Sequence, residues 1–230
     1  MSILINIGRR GLGKSTLARY SAHAKSPRIF IDPRAQWRGS RIYRREQAED
    51  MLEDLEAGRD FIVQPSEKQP TVDAMASVAA LWFSEEVLPE PTTENPEPKG
   101  TRELSIVLDE AGTYDLDSWD WFLRTCDPKR TVIILTAHRP QDIDTAVRAI
   151  ADTWCIFRTT QTHDLKAIED RTSELVVREV QRLDPFEFVE WDDANARMTV
   201  HKNPAAWREP RNVRLEGKII EPVRERKLWE

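Results

Sequence analysis

The sequence has little cysteine and no long hydrophobic run, and each shortage excludes a class of protein. Its two cysteines, Cys126 and Cys155, lack the spacing of metal ligands, so we expect free thiols in a reducing cytoplasm. No stretch approaches the roughly eighteen consecutive apolar residues of a membrane-spanning helix. The chain enters a predicted strand almost at once, and we therefore expect neither a signal peptide nor a membrane span.

The chain also lacks an excess of positive charge. It has 34 Lys and Arg residues against 40 Asp and Glu residues, which gives a formal net charge of −6. No global positive field therefore attracts nucleic acid, and any such contact depends on a local basic patch. With 40% hydrophobic residues in 230 positions, the chain can build the core of one large α/β domain.

The strongest motif lies near the N-terminus. An apolar, β-branched run at residues 2–7 is followed by G-x-x-x-x-G-K-S and then by helix-forming residues 17–20. In this motif, glycines and a helix N-terminus direct backbone N–H groups at phosphate oxygens. We expect Lys14 to reach the β- and γ-phosphates and Ser15 to help hold Mg²⁺, so the motif predicts a nucleoside triphosphate site. The alternative is a chance match in a turn rich in glycine and arginine. The predicted phosphate-binding residues are Gly8, Arg9, Arg10, Gly11, Leu12, Gly13, Lys14, Ser15 and Thr16.

A second motif is an apolar strand, residues 103–108, that ends in the adjacent acids Asp109 and Glu110. Two carboxylates at a strand end are costly unless they belong to a site. Beside a phosphate-binding loop, Asp109 is expected to orient Mg²⁺ through its water shell, and Glu110 is placed to polarise the attacking water. The alternative is a strand end that turns into solvent.

An arginine-rich stretch occupies residues 34–45 and contains no acidic residue. Arginines interleaved with Trp37 and Tyr43 are typical of a surface that contacts phosphates and stacks on bases. The stretch is equally well explained as a solvated loop whose arginines pair with the acidic helix predicted over residues 46–58. The arginines in question are Arg34, Arg38, Arg41, Arg44 and Arg45.

Strands and helices are predicted to alternate through residue 158, which favours a largely parallel sheet flanked by helices. Beyond the two motif strands, strands are predicted at 28–33, 60–65, 131–137 and 154–158, and helices at 46–58, 71–88, 115–125 and 142–151.

The C-terminal third departs from this alternation. A helix predicted over 164–183 breaks near 171–173, and a β-hairpin joins 186–191 to 197–201. Residues 89–100 are rich in proline and are predicted to form an exposed loop. We therefore expect one domain over 1–202, and an extended tail over 203–230 that packs on the core or on a neighbouring subunit.

These features resemble the P-loop ATPases of the RecA-like class, which use a catalytic glutamate and insert a strand between the P-loop and aspartate strands. Within that class the chain resembles the HerA/FtsK superfamily of ring-forming DNA translocases and packaging ATPases. The likeness rests on Gly8 to Thr16, Phe30-Ile31-Asp32-Pro33, Ile106-Val107-Leu108-Asp109-Glu110, Ile134-Leu135-Thr136-Ala137-His138-Arg139-Pro140, and Asp142-Ile143-Asp144.

The resemblance implies further roles. The family often has glutamine in the place of His138, which implies that His138 senses the γ-phosphate; the alternative is a capping or core histidine. Family members supply an arginine finger from the segment before this strand, so Arg124 and Arg130 are candidates. We favour Arg130 because it directly abuts the strand. The implied partners are double-stranded DNA, further copies of the chain in a ring expected to be hexameric, and portal or membrane packaging proteins.

A bare motor of this length is similar to the genome-packaging ATPases of membrane-containing icosahedral phages and archaeal viruses, which act in the host cytoplasm or at the virion vertex. Filamentous-phage assembly ATPases of the zonular-occludens-toxin type are the alternative, although they usually carry a transmembrane span. A GTPase is suggested by D-x-x-G at residues 109–112, but no N-K-x-D follows. A kinase would use the arginine-rich stretch as its lid. A protein that only binds nucleotide would have no use for Glu110.

Overall fold

The computed structural model describes residues 3–39, 41–43, 47–65, 68–84, 86 and 100–202, whose strands join in a single sheet. The strands are β1 (Ile3–Ile7), β2 (Arg28–Ile31), β3 (Ile42–Tyr43), β4 (Phe61–Val63), β5 (Leu104–Leu108), β6 (Thr131–Ala137), β7 (Thr153–Phe157), β8 (Phe188–Asp192) and β9 (Arg197–His201). The helices are α1 (Lys14–Ser21), α2 (Ala48–Glu56), α3 (Lys68–Ser84), α4 (Asp120–Thr125), α5 (Thr145–Ile150), α6 (Thr162–Arg171) and α7 (Glu174–Arg182).

The strand order is β3-β4-β2-β5-β6-β1-β7-β8-β9. The first seven strands of this order are parallel, and β8 and β9 add an antiparallel edge. Strand β6 lies between the P-loop strand β1 and the aspartate strand β5, with Ile3 opposite Ile133 and Leu108 opposite Leu135. This order confirms the predicted P-loop NTPase fold with its inserted strand.

The central strands are buried along their whole length because helices cover both faces of the sheet. Alternate residues of β1 therefore enter two different cores: Ile3 and Ile5 pack in one hydrophobic layer, and Leu4 packs in the other. Continuous apolar runs such as that of β6 are the sequence signature of this arrangement.

The C-terminal hairpin and the broken helix are confirmed. Helix α6 ends at Arg171, and α7 begins after Ser173, whose hydroxyl accepts a hydrogen bond from the backbone N–H of Val176. The helix predicted over 142–151 starts only at Thr145, because the Asp144 carboxylate caps it by accepting the N–H of Ala146 at 2.6 Å.

Two further predicted segments differ from the structure. The helix predicted over 115–125 is a 3₁₀ turn at Asp117–Trp119 followed by the short α4. The arginine-rich stretch contains the edge strand β3, which the sequence analysis did not predict. The predicted tail over 203–230 and nearly all of the predicted loop over 89–100 lie outside the described residues.

Both cysteines are free, as predicted. None of the described helices is long and apolar enough to cross a membrane.

Candidate active site

The phosphate-binding loop leaves β1 at Gly8 and enters α1 at Lys14. Gly8 has no room for a side chain, since a Cβ there would lie 2.6 Å from Cβ of Phe157 on the neighbouring strand β7. Gly13 has a φ of 103° and forms the left-handed N-cap of α1. Glycine at these two positions therefore allows the loop to pack against β7 and to lead directly into the N-terminus of α1, where backbone N–H groups can bind an anion.

Lys14 is buried inside this loop, with 6% of its surface exposed. Its Nζ donates a hydrogen bond to the carbonyl oxygen of Arg9 at 3.1 Å. Burial lowers the pKa of Lys14, and the charges of Glu110 and Asp109 oppose that shift. The ammonium group thus interacts electrostatically with both acids.

Ser15 and Asp109, the two residues expected to hold Mg²⁺, contact each other. The Ser15 hydroxyl donates to Oδ1 of Asp109 at 3.0 Å, and Asp109 is only 2% exposed. Thr136, near the end of β6, donates to the same carboxylate oxygen at 2.5 Å. Two hydroxyl groups from different elements therefore fix the orientation of one carboxylate.

Thr136 is a site residue that the sequence analysis did not assign. Its hydroxyl oxygen also accepts the backbone N–H of Glu110 at 3.0 Å, so it ties both acids to β6. The available signal was a threonine near the polar end of an otherwise apolar strand. Its use became evident only with the order of the strands, which places β6 beside β5.

Glu110 is the first residue beyond Asp109 and adopts a left-handed conformation with φ 56°. For a residue other than glycine this conformation costs energy, and such strain persists where the surroundings hold the residue in place. Here the Glu110 N–H is held by Thr136, and its Oε2 lies 3.0 Å from Nε2 of His138 and 3.3 Å from Nη2 of Arg34. The carboxylate is therefore fixed at its backbone and at its tip.

Arg34 reaches Glu110 from the turn that follows β2, the strand beside β5. Asp32 builds this turn: its buried carboxylate accepts the backbone N–H of Arg34 at 3.1 Å and that of Trp37 at 2.7 Å. Burial raises the pKa of Asp32, and these hydrogen bonds oppose the shift. Asp32 of the Asp-Pro sequence thus stabilises the turn from which Arg34 contacts the Glu110 carboxylate.

The residues present fit a magnesium ion. No cluster of three His, Cys, Asp or Glu side chains occurs among the described residues. Mg²⁺ does not need one, because it commonly takes one or two protein oxygens together with water and substrate phosphates. Ser15 and Asp109 supply such oxygens beside Lys14, as the sequence predicts for a P-loop site.

Arg130 immediately precedes the amino end of β6. The phosphate-binding loop lies at the opposite, carboxyl ends of the parallel strands. Its guanidinium is paired with Glu86, donates to the carbonyl of Arg102 at 2.9 Å, and lies 5.0 Å from the ring centroid of Phe83. Arg130 is thus held rigidly, as expected, but its guanidinium already interacts with groups of its own subunit.

Arg124, the other finger candidate, lies on α4 with 48% of its side chain exposed. Its ion pair is with Asp120 on the same helix, at 2.7 Å. Such an exposed pair is weak and easily exchanged for another partner. The contacts therefore favour Arg124 over Arg130 as a group available to a neighbouring subunit.

The structure supports the solvated-loop explanation of the arginine-rich stretch at one residue and shows a contact at another that neither explanation predicts. Arg41 pairs with Asp54 of α2 at 2.7 Å, as the solvated-loop explanation predicts, and Arg34 pairs with Glu110. Arg38 is exposed and forms no ion pair with any described residue. Arg44 and Arg45 lie outside the described residues.

Comparison with known proteins finds similar structures but no related sequence. No protein-family profile matches the chain, and no curated protein matches it. The structure is similar to the genome packaging NTPase B204 from Sulfolobus turreted icosahedral virus 2 in complex with ATP-γS, with a TM-score of 0.66 and 19% identity over 87% of this chain and 96% of that chain.

Two other solved structures extend the likeness. B204, the DNA-packaging ATPase from Sulfolobus turreted icosahedral virus, has a TM-score of 0.63 and 21% identity over 87% of this chain and 97% of that chain. The cytoplasmic domain of the type VII secretion ATPase EccC from Thermomonospora curvata has a TM-score of 0.51 and 11% identity over 87% of this chain and 23% of that chain. The resemblance indicated by the sequence is thus confirmed at the level of the fold.

Proposed function

We propose that the chain is an Mg²⁺-dependent ATPase that moves double-stranded DNA, as the genome-packaging motor of a virus. The observation that carries the proposal is the convergence of Lys14, the Ser15–Asp109 pair and Glu110 at one edge of the sheet. The fold likeness to proteins described as a genome packaging NTPase and a DNA-packaging ATPase supports it.

The residues divide the reaction between them. The loop N–H groups and Lys14 bind the phosphates. Ser15 and Asp109 would hold Mg²⁺, which would supply charge neutralisation at the phosphate oxygens. Glu110 accepts a proton from the water that attacks the γ-phosphorus, while the bond from that phosphorus to the bridging oxygen breaks and ADP leaves. His138, beside Glu110, is positioned to contact the γ-phosphate.

A positive group that neutralises charge on the transferred phosphoryl is still required. We assign it to an arginine of the adjacent subunit in a ring, with Arg124 as the first candidate and Arg130 as the second. In related chemistry such an arginine raises the rate by about 10³–10⁵. The ring, which we propose to be hexameric, would pass DNA across basic residues such as Arg38, Arg44 and Arg45 and would dock on portal or membrane packaging proteins.

The D-x-x-G match does not by itself indicate a dedicated GTPase, because Gly112 has a packing explanation. A Cβ at Gly112 would lie 2.4 Å from Cβ and 2.6 Å from the carbonyl oxygen of Asp142. The glycine of the D-x-x-G match therefore lets the loop after β5 pack against the loop after β6, whatever the nucleotide. The kinase alternative is weakened because two arginines of its supposed lid, Arg34 and Arg41, are paired with Glu110 and Asp54.

The test is the hydrolysis rate of the full chain with ATP and Mg²⁺, measured alone, with double-stranded DNA, with single-stranded DNA, and with nucleoside monophosphates. The proposal predicts hydrolysis that double-stranded DNA stimulates. Stimulation by single-stranded DNA alone would favour the filamentous-phage assembly function. Phosphoryl transfer to a monophosphate would show a kinase and contradict the proposal.

A further inference from the structure

The turn between α7 and β8 presents an exposed aromatic ring in a strained conformation. The backbone N–H of Glu187 donates to the carbonyl of Asp184 at 3.1 Å, which closes a four-residue turn with Pro185 second and Phe186 third. Phe186 has a φ of 72° and is 47% exposed. A turn of this form normally has glycine at its third position, and a bulky residue there is a backbone outlier.

The strained turn is firmly held. The Glu187 carboxylate accepts the backbone N–H of Asp184 at 2.9 Å, and Glu187 is buried. Behind the turn, the Phe188 ring lies 5.4 Å from the Phe157 ring and stacks on the His201 ring of β9 at 4.4 Å. The hairpin therefore maintains Phe186 in a conformation that the residue itself disfavours, and such strain is typical of functional sites.

Phe186 lies directly against the phosphate-binding loop. Its Cδ1 is 3.2 Å from the point that a Cβ on Gly13 would occupy, and Gly13 immediately precedes Lys14. The ring lies on the side of β1 that faces β7 and β8, whereas Asp109 and Glu110 lie on the opposite side, beyond β6.

This placement has a consequence for the orientation of a nucleotide. The attacked γ-phosphate must lie near Glu110, and the loop contacts the phosphates that follow it. The nucleoside end of the substrate must then leave the loop on the side of β7 and β8, where a half-exposed aromatic ring is available. Aromatic side chains stack on any base, because every base has a π-face.

We infer that Phe186 is a platform on which the base of the bound nucleoside triphosphate stacks. The inference rests on the proposed function and adds to it the basis of nucleotide recognition. Stacking reads no hydrogen-bonding pattern, so the site is expected to accept ATP and GTP with similar affinity, in keeping with the missing N-K-x-D motif.

The test compares two probes, ATP and inorganic tripolyphosphate, because the second retains the phosphates and lacks the base. Calorimetry on the full chain with Mg²⁺ should show that Phe186→Gly weakens ATP binding by about tenfold or more and leaves tripolyphosphate binding unchanged. Phe186→Trp should retain ATP affinity. Leu175→Ala, which truncates an exposed apolar side chain of α7, is the control and should change neither affinity.

Thermal melting separates a binding role from a structural one. Glycine relieves the positive φ, so Phe186→Gly should melt at the same temperature as the wild type or higher while binding ATP less tightly. Unchanged ATP affinity, or an equal loss for both probes, would overturn the inference and leave the proposed function standing. A wild-type chain that binds neither probe would overturn the proposed function and the inference together.

Discussion

Nη2 of Arg34 lies 3.3 Å from Oε2 of Glu110, so the turn after β2 supplies a cation to the carboxylate at the end of β5. The Glu110 side chain is only 12% exposed, and His138 contacts the same oxygen at 3.0 Å. Two side chains that follow the two strands flanking β5 thus contact the same oxygen of the proposed general base.

Removing either holding residue should lower kcat. Arg34→Ala should leave KM unchanged, because Arg34 positions Glu110 and the phosphate-binding loop remains intact. His138→Ala should also raise KM, because His138 is placed to contact the γ-phosphate. We expect Arg34→Ala and His138→Ala each to lower kcat by about tenfold, since small misplacements of a catalytic group have effects of this size. Steady-state ATPase kinetics measure both constants.

Arg38→Ala is the matched control, because Arg38 belongs to the same stretch and forms no ion pair with a described residue. It should leave the kcat measured without DNA unchanged. The double variant of Arg34 and His138 should deviate from additivity, since both residues contact one oxygen. Full wild-type kcat in both single variants would contradict the positioning role.

Thr136→Val should lower stability and weaken the site. The valine leaves the Glu110 N–H without its acceptor and Asp109 without one of its donors, which should cost about 1–3 kcal/mol of unfolding free energy. We also expect a higher Mg²⁺ concentration for half-maximal ATPase activity. Urea denaturation and a Mg²⁺ titration measure the two effects.

Thr131 offers the same substitution at the other end of β6. It is fully buried, and its hydroxyl has no hydrogen-bond partner among the described residues. Thr131→Val should therefore be neutral or slightly stabilising and should leave the Mg²⁺ requirement unchanged. Equal destabilisation by both variants would show that the Thr136 bonds have no special importance.

Contiguous motifs were the part of the site that the sequence could predict. Gly8 to Thr16 and the Asp109–Glu110 pair are each contiguous in the sequence. Local backbone geometry therefore brings together the groups within each motif. The contacts of Thr136 and Arg34 depend instead on which strands are neighbours. The insertion of β6 between β1 and β5 was implied by the family resemblance, but the side-chain contacts that it creates were not.

Phe186 illustrates a second limit. The proposed role of Phe186 rests on its positive φ and on its short distance from Gly13. Neither property can be predicted from composition or hydrophobic periodicity. The sequence favoured Arg130 as the arginine finger for a similar reason, because its ion-pair partner Glu86 is far away in the sequence and the pairing could not be foreseen. Hydrophobic periodicity nevertheless predicted the core strands well, since continuous apolar runs and buried parallel strands have the same physical origin.

Substitutions of the two arginine-finger candidates should differ in their effect on the free energy of unfolding. Arg130→Ala breaks a largely buried ion pair and a hydrogen bond to a backbone carbonyl, so we expect a loss on the order of 2 kcal/mol in unfolding free energy. Arg124→Ala removes only an exposed pair and should change stability by less than about 0.5 kcal/mol.

Mixing experiments then test the finger itself. Arg124→Ala subunits and Glu110→Gln subunits, each inactive alone, should partly restore hydrolysis when combined, because some interfaces join an intact Glu110 to an intact Arg124. Native mass spectrometry confirms that mixed assemblies form. If such assemblies stay inactive, Arg130 becomes the candidate; full activity of a dilute wild-type monomer would contradict the ring.

The arginine-rich stretch predicts a salt-dependent contact with DNA. Each phosphate contact to duplex DNA contributes about 0.9 to the slope of log affinity against log salt, so replacing Arg38, Arg44 and Arg45 with serine should reduce the slope by up to about 3. Arg41→Ser is the control, because Arg41 is already paired with Asp54. An unchanged slope in the triple variant would assign the stretch to the solvated-loop explanation.

The central claim is that this site hydrolyses ATP and does not merely bind it, with Glu110 as the general base. The direct measurement is single-turnover hydrolysis by Glu110→Gln with ATP occupancy verified, beside Lys14→Ala, which should fail to bind ATP tightly. Glu110→Gln should bind ATP as the wild type does and hydrolyse it at least about 100-fold more slowly, the range for loss of a general base. Hydrolysis by Glu110→Gln at the wild-type rate would contradict the claim.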